Sequence, residues 1–131
     1  MSVAAYRRTI RTTESPREVE RKVFINVTGA LERHAEDGPL SAGLRQALES
    51  NQKLWLTLRG DLLSPENSLP TELKKGLVQL SYFVDGHTIK VIKGEASVKP
   101  LIDINRSIIS GLSGSAPAPA QVMQNAGQGE L

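Results

Sequence analysis

The chain contains no cysteine, which removes disulfide scaffolds, thiolate metal sites and cysteine nucleophiles and is compatible with a reducing compartment. Long hydrophobic runs are also missing. Stretches such as Leu54-Trp55-Leu56 and Tyr82-Phe83-Val84 stop after three residues, whereas a membrane span needs about 18 consecutive apolar positions. The start, Met1-Ser2-Val3-Ala4-Ala5-Tyr6-Arg7-Arg8, puts its basic residues after its apolar ones, the reverse of a secretory signal. Cytoplasmic localisation without membrane contact is the expectation. Charge of one sign is not in excess, because 16 Lys+Arg face 14 Asp+Glu, leaving a net charge of +2 and a pI near 9.1. The two signs are interleaved, so nothing in the overall charge calls for nucleic acid. Phosphate-cradling glycine loops and dinucleotide fingerprints are absent too, which leaves nucleotide binding without support.

What is present fits one ordinary globular domain. At 131 residues, 39% hydrophobic and 23% charged, the chain can bury a single core if its apolar residues are well patterned. Ser15-Pro16-Arg17-Glu18 carries an N-cap, a proline at the first helical position and a capping-box glutamate. Val19, Val23, Val27, Ala30 and Leu31 then repeat at helical spacing, and Gly38-Pro39 supplies a stop. This predicts a helix over 15–37, ended by a left-handed cap at Gly38.

A second start at Ser41 leads into a stripe of Leu44, Ala47, Leu48, Asn51, Leu54, Trp55, Leu58 and Leu62 before Ser64-Pro65. Ser68 is placed to cap a third helix over 70–92, whose inward face would be Leu73, Leu77, Leu80, Val84, His87 and Val91. The stretch His87–Ile92 alternates like a strand, and Gly86 offers a break, but no pairing partner lies nearby and helix is preferred. A fourth helix follows from Ser97 to Gly111, apolar on one side through Leu101, Ile104, Ile108 and Leu112 and on another through Ile102 and Ile109. After Leu112 the composition turns to Ala, Pro, Gly, Gln and Ser, too poor in apolar surface to offset chain entropy. The expectation is an all-α, small antiparallel bundle of four main helices over 1–112, with a low-complexity, disordered tail over 113–131.

The run Pro100-Leu101-Ile102-Asp103-Ile104-Asn105-Arg106-Ser107-Ile108-Ile109-Ser110-Gly111-Leu112 is joined by Asn51-Gln52-Lys53-Leu54-Trp55, Leu69-Pro70-Thr71-Glu72-Leu73 and Ser15-Pro16-Arg17-Glu18-Val19-Glu20. In that order and spacing these segments resemble the flagellar biosynthesis regulator family FlaF. The resemblance covers nearly all of residues 1–112. It implies a cytoplasmic helical protein needed for flagellin production and export, a flagellin-binding chaperone acting with the translational regulator FlbT. It brings no catalytic residues with it.

No catalytic constellation emerges independently. His34 and His87 are the only histidines, and Asp85 and His87, two apart, diverge by roughly 200° on a helix rather than converging on a metal. His87 lies in an apolar stripe and reads as a core residue, while His34 would sit against the carbonyl end of the first helix. Neither an enzyme, a metal nor a cofactor is expected. The arm Tyr6, Arg7, Arg8 and Arg11 offers one ring to stack and three guanidinium groups for phosphates. A solvated N-terminus is the better reading of so small a patch, so direct contact with flagellin messenger RNA is the runner-up function.

Trp55, the only Trp, reads first as a core anchor and second as a binding hot spot. A chaperone needs apolar surface left over after folding. A helical segment of flagellin would lie in such a groove, read at three- and four-residue spacing. The candidate groove residues are therefore Leu101, Ile102, Ile108, Ile109 and Leu112 of the two-sided helix, with Trp55 and Phe83.

Overall fold

The structure, a computed structural model, describes residues 16–112, with side chains from residue 20 onward. The cap expected at Ser15, the side chains of Glu18 and Val19, the arm Tyr6, Arg7, Arg8 and Arg11, and the tail 113–131 lie outside this description. Among the described residues the chain forms four α-helices and no strand: α1 (Pro16–Arg33), α2 (Ala42–Leu62), α3 (Thr71–Ile92) and α4 (Lys99–Leu112). The expected all-α bundle is what the chain adopts. The main packing is α1 on α4 and α2 on α3, and contacts between α1 and α2 join the two pairs.

Helix α1 stops earlier than the spacing predicts. Its regular part ends at Arg33, and residues 34–37 form turns closed by bonds from Ala35 N to Glu32 O and from Asp37 N to His34 O. The cause is local competition for the Asp37 carboxylate, which lies 2.8 Å from His34 Nδ1 and accepts from Ser41 Oγ at 3.0 Å. Such side-chain bonds offer the chain an alternative to another helical turn. They hold the Asp37 carboxyl below its ordinary pKa, His34 contributing most and Ser41 next. Gly38 is not the left-handed cap: among the described residues only Gly94 has positive φ, at 74°.

Gly94 ends α3 instead. Glu95 N bonds to Lys90 O at 2.9 Å and Gly94 N to Val91 O at 3.0 Å, the paired closure of a Schellman cap. Helix α3 runs unbroken through Gly86 and through His87–Ile92, so the strand-like alternation there is two helical faces rather than a pleat. At its start, Ser68 does not cap. The N-cap position is Pro70, with no side-chain cap bond, because the proline ring disfavours helical geometry at Leu69 and fixes the helix start after itself. The Ser41 cap of α2 forms as expected, Leu44 N donating to Ser41 Oγ at 3.2 Å.

The core follows the stripes of α2, α3 and α4: Leu44, Ala47, Leu48, Trp55, Leu80, Val84, Val91, Leu101 and Ile104 are buried. Helix α1 buries Leu31 and packs Ala30 against the core as expected, but is rolled so that Phe24 and Thr28 rather than Val23 and Val27 face inward. Its buried residues are Phe24, Thr28 and Leu31, whereas Val23, Val27 and Ala30 are half-buried. The ring of Phe24 meets Trp55 edge-on, centroids 5.8 Å apart at 86°. Such an aromatic pair buries more surface and adds more attraction than the valines would.

Candidate partner-binding groove

Rolling α1 toward Trp55 brings a second stripe to the junction with α4. Arg21, Ile25, Thr28 and Glu32 recur at four-three-four spacing along α1 and face Arg106, Ile109 and Ser110 of α4 across an open groove of about 270 Å³. The Thr28 hydroxyl is buried and donates back to Phe24 O at 2.6 Å, so it lines the floor without offering a free donor. Ile25, 39% exposed, and half-buried Ile109 supply the apolar part. Arg106 is paired with Glu32 across the two helices. Arg21 differs. Its Nε is shielded from solvent and has no hydrogen-bond partner, a state that costs free energy until an acceptor arrives.

The residues singled out from the sequence divide. Ile109 lines this groove, and Ile102, Ile108 and Leu112 lie half-buried on the same short helix, packed against the core. Phe83 is half-buried on α3, its ring stacked on His87 at 5.5 Å, away from the groove. Trp55 and Leu101 have no exposed surface at all and present nothing to a partner in this conformation. Both belong to the core. For Trp55 this is the anchoring role that its place in the stripe of α2 indicates.

Trp55 and Asn105 form a polar seam inside the core. The indole Nε1–H donates to Asn105 Oδ1 at 2.9 Å, and Asn105 Nδ2 donates to Asn51 Oδ1 at 2.8 Å. This seam pins α4 to α2. His87 is buried and its Nε2–H donates to Ser97 O at 2.7 Å, which accounts for it structurally. No cluster of three or more metal-ligating side chains occurs among the described residues, and no described helix is long and apolar enough to cross a membrane.

Arg21, Glu32 and Arg106 escape a search for apolar leftovers because they are charged. The signal that would find them is the spacing of 21, 25, 28 and 32, a stripe that borders the buried one and shares Thr28 with it. It becomes legible only once Phe24, rather than the valines, is known to face the core.

The class is now defined: a small all-α bundle with an open groove between its first and last helices. The family model described as Flagellar protein FlaF matches residues 2–112. That is most of the chain, and the protein belongs to this flagellar family. No curated protein and no solved structure gives a significant match.

Proposed function

We propose that this protein is a flagellin-binding chaperone that supports flagellin synthesis and export during flagellum assembly, working in the cytoplasm by binding rather than catalysis. Membership of the flagellar family over residues 2–112 supports the flagellar role. The observation that carries the binding reading is the lining of the α1–α4 groove. Ile25 and Ile109 supply apolar contact, and Arg21 brings a buried donor that lacks an acceptor.

Small-molecule pockets of about 300–1,000 Å³ enclose most of their ligand, whereas this cleft of about 270 Å³ is open and bordered by two helices. A helical segment fits it better, with two apolar residues three or four apart over Ile25 and Ile109 and a carboxylate meeting Arg21. Flagellin polymerises through terminal helical segments, and masking one of them before export is the service such a groove performs. Action together with FlbT on flagellin translation would follow from holding flagellin rather than from contact with its messenger.

Co-purification of the full chain with flagellin after nuclease treatment tests this. Retention of flagellin, lost in Ile109→Glu, is the expected result. A complex that disappears with nuclease would sink the chaperone reading and assign the association to messenger RNA.

A further inference from the structure

Helices α2 and α3 carry an exposed surface that the groove does not explain. On α2, Leu56 and Gly60 with the C-cap Leu63 are spaced four and three apart, and on α3 Tyr82, Gly86 and Ile89 repeat the same spacing. Each set falls within about 60° of helical arc. The four large residues are exposed by 55%, 62%, 58% and 50%, in that chain order. Both glycines face open space, with nothing within 4 Å of where a Cβ would stand. A glycine in mid-helix is a poor helix former, and neither of these is needed for packing within the chain.

The two sets lie side by side. Arg59 of α2 pairs with Asp85 of α3 at 2.8 Å and lies over the Tyr82 ring, 4.4 Å from its centroid. Helices α2 and α3 follow one another through a short loop and pack side by side, hence antiparallel. With Arg59 level with the midpoint of its two partners, Tyr82 and Asp85, counting along each axis sets Leu56 level with Gly86 and Gly60 level with Tyr82 to within about one residue. From Arg59 and from Asp85 alike, the exposed set is reached by turning in one angular sense and the buried stripe in the other. Antiparallel neighbours with that arrangement present both sets on one face.

We propose that this face is a self-association surface that joins two copies of the chain about a two-fold axis parallel to α2 and α3. Such an axis lays α2 of one copy on α3 of the other and keeps every height. Leu56 then drops onto Gly86 of the second copy and Tyr82 onto Gly60 of the second copy, each contact occurring twice. Large residues meet gaps of matching position, the condition for knobs-into-holes packing. By the same count Glu49 of α2, bonded to Lys53 of its own chain at 3.1 Å, comes level with Lys93, the C-cap of α3, in the other copy and would take it as a second cation. Arg59, stacked on Tyr82 and bonded to Asp85, holds the tyrosine ready before contact, which lowers the ordering cost.

The face spans about three turns of two helices and would bury roughly 1,000 Å² in total, at the lower edge of specific interfaces. The dimer should therefore depend on concentration.

Sedimentation equilibrium of the full chain, from micromolar to near-millimolar concentration, tests the proposal. The expected result is a monomer–dimer equilibrium that Gly60→Leu and Gly86→Leu each weaken by about tenfold or more, with helical content unchanged because both positions open to solvent. The absence of cysteine permits a direct check of register: Leu56→Cys mixed with Gly86→Cys should cross-link faster than either variant alone. A chain that stays monomeric throughout, or a dimer that survives both leucine substitutions, overturns it; the monomeric result would leave the face to a helix of another protein. Ile109→Glu, which targets flagellin capture, should leave the dimer intact, so the two surfaces fail separately.

Discussion

The indole nitrogen of Trp55 and the side-chain oxygen of Asn105 are 2.9 Å apart, although the residues are separated by 50 positions in the chain. This bond joins the middle of α2 to the middle of α4 inside the apolar core, and Asn105 passes the connection to Asn51 at 2.8 Å. All three side chains are fully buried. Asn51 Nδ2 is left without a partner, so the seam is tied at one end only.

That asymmetry orders a pair of mutants. Asn105→Ala strands the Trp55 donor and the Asn51 oxygen together and opens a small cavity, and should destabilise the fold by about 3 kcal/mol. Asn51→Ala strands only Asn105 Nδ2 while removing the unsatisfied Asn51 Nδ2, leaves the Trp55–Asn105 bond in place, and should cost less. Urea denaturation of both variants checks the order. Equal losses would mean that the Trp55–Asn105 bond contributes little.

Two glycines, one inside α3 and one just past its end, should respond in opposite directions. Gly94→Ala forces a side chain into left-handed geometry at the α3 cap and should cost about 1 kcal/mol. Gly86→Ala, in mid-helix with open space around it, should stabilise the monomer by up to about 1 kcal/mol. Thermal unfolding at low concentration, where self-association is negligible, separates the two signs.

The α1–α2 turn should carry an acid-sensitive part of the stability. Hydrogen bonding to His34 and Ser41 lowers the folded-state pKa of Asp37 below its unfolded value. The stabilisation is therefore present above the unfolded pKa and lost as pH falls through the folded one. Unfolding followed from neutral pH to below pH ~4 should show this loss in the native chain. Asp37→Asn should be less stable at neutral pH and should show a smaller decline. Gly43→Ala perturbs the same turn, because a Cβ there would run into the His34 ring.

Arg21 gives a contrast between stability and binding. Because its shielded Nε lacks a partner, Arg21→Leu should leave the fold as stable or slightly more so, while weakening flagellin capture by about tenfold or more through loss of a charge-assisted bond. Thermal unfolding and co-purification on the same preparation read the two effects. A variant that unfolds more easily and binds normally would refute the role given to Arg21.

The helices were legible in the sequence because their determinants are local. The Ser41 cap, the stripe from Leu44 to Leu62 and the two-sided character of the last helix are set by spacing within a few turns. Boundaries were less legible where side chains compete with the backbone. The Asp37 carboxylate ends α1 early, and Pro70 displaces the Ser68 cap. The seed of the groove was visible in Ile109, but not its charged members.

What the sequence by itself determined is the set of amphipathic helices, the absence of thiol chemistry and the family to which the chain belongs. Tertiary structure alone decided which face of α1 turns inward, because that choice rests on Phe24 meeting Trp55, a contact between residues 31 positions apart. The same choice places Arg21 opposite Ile109 and buries Trp55. Periodicity describes one helix at a time, whereas a groove is made where two helices agree on how to roll.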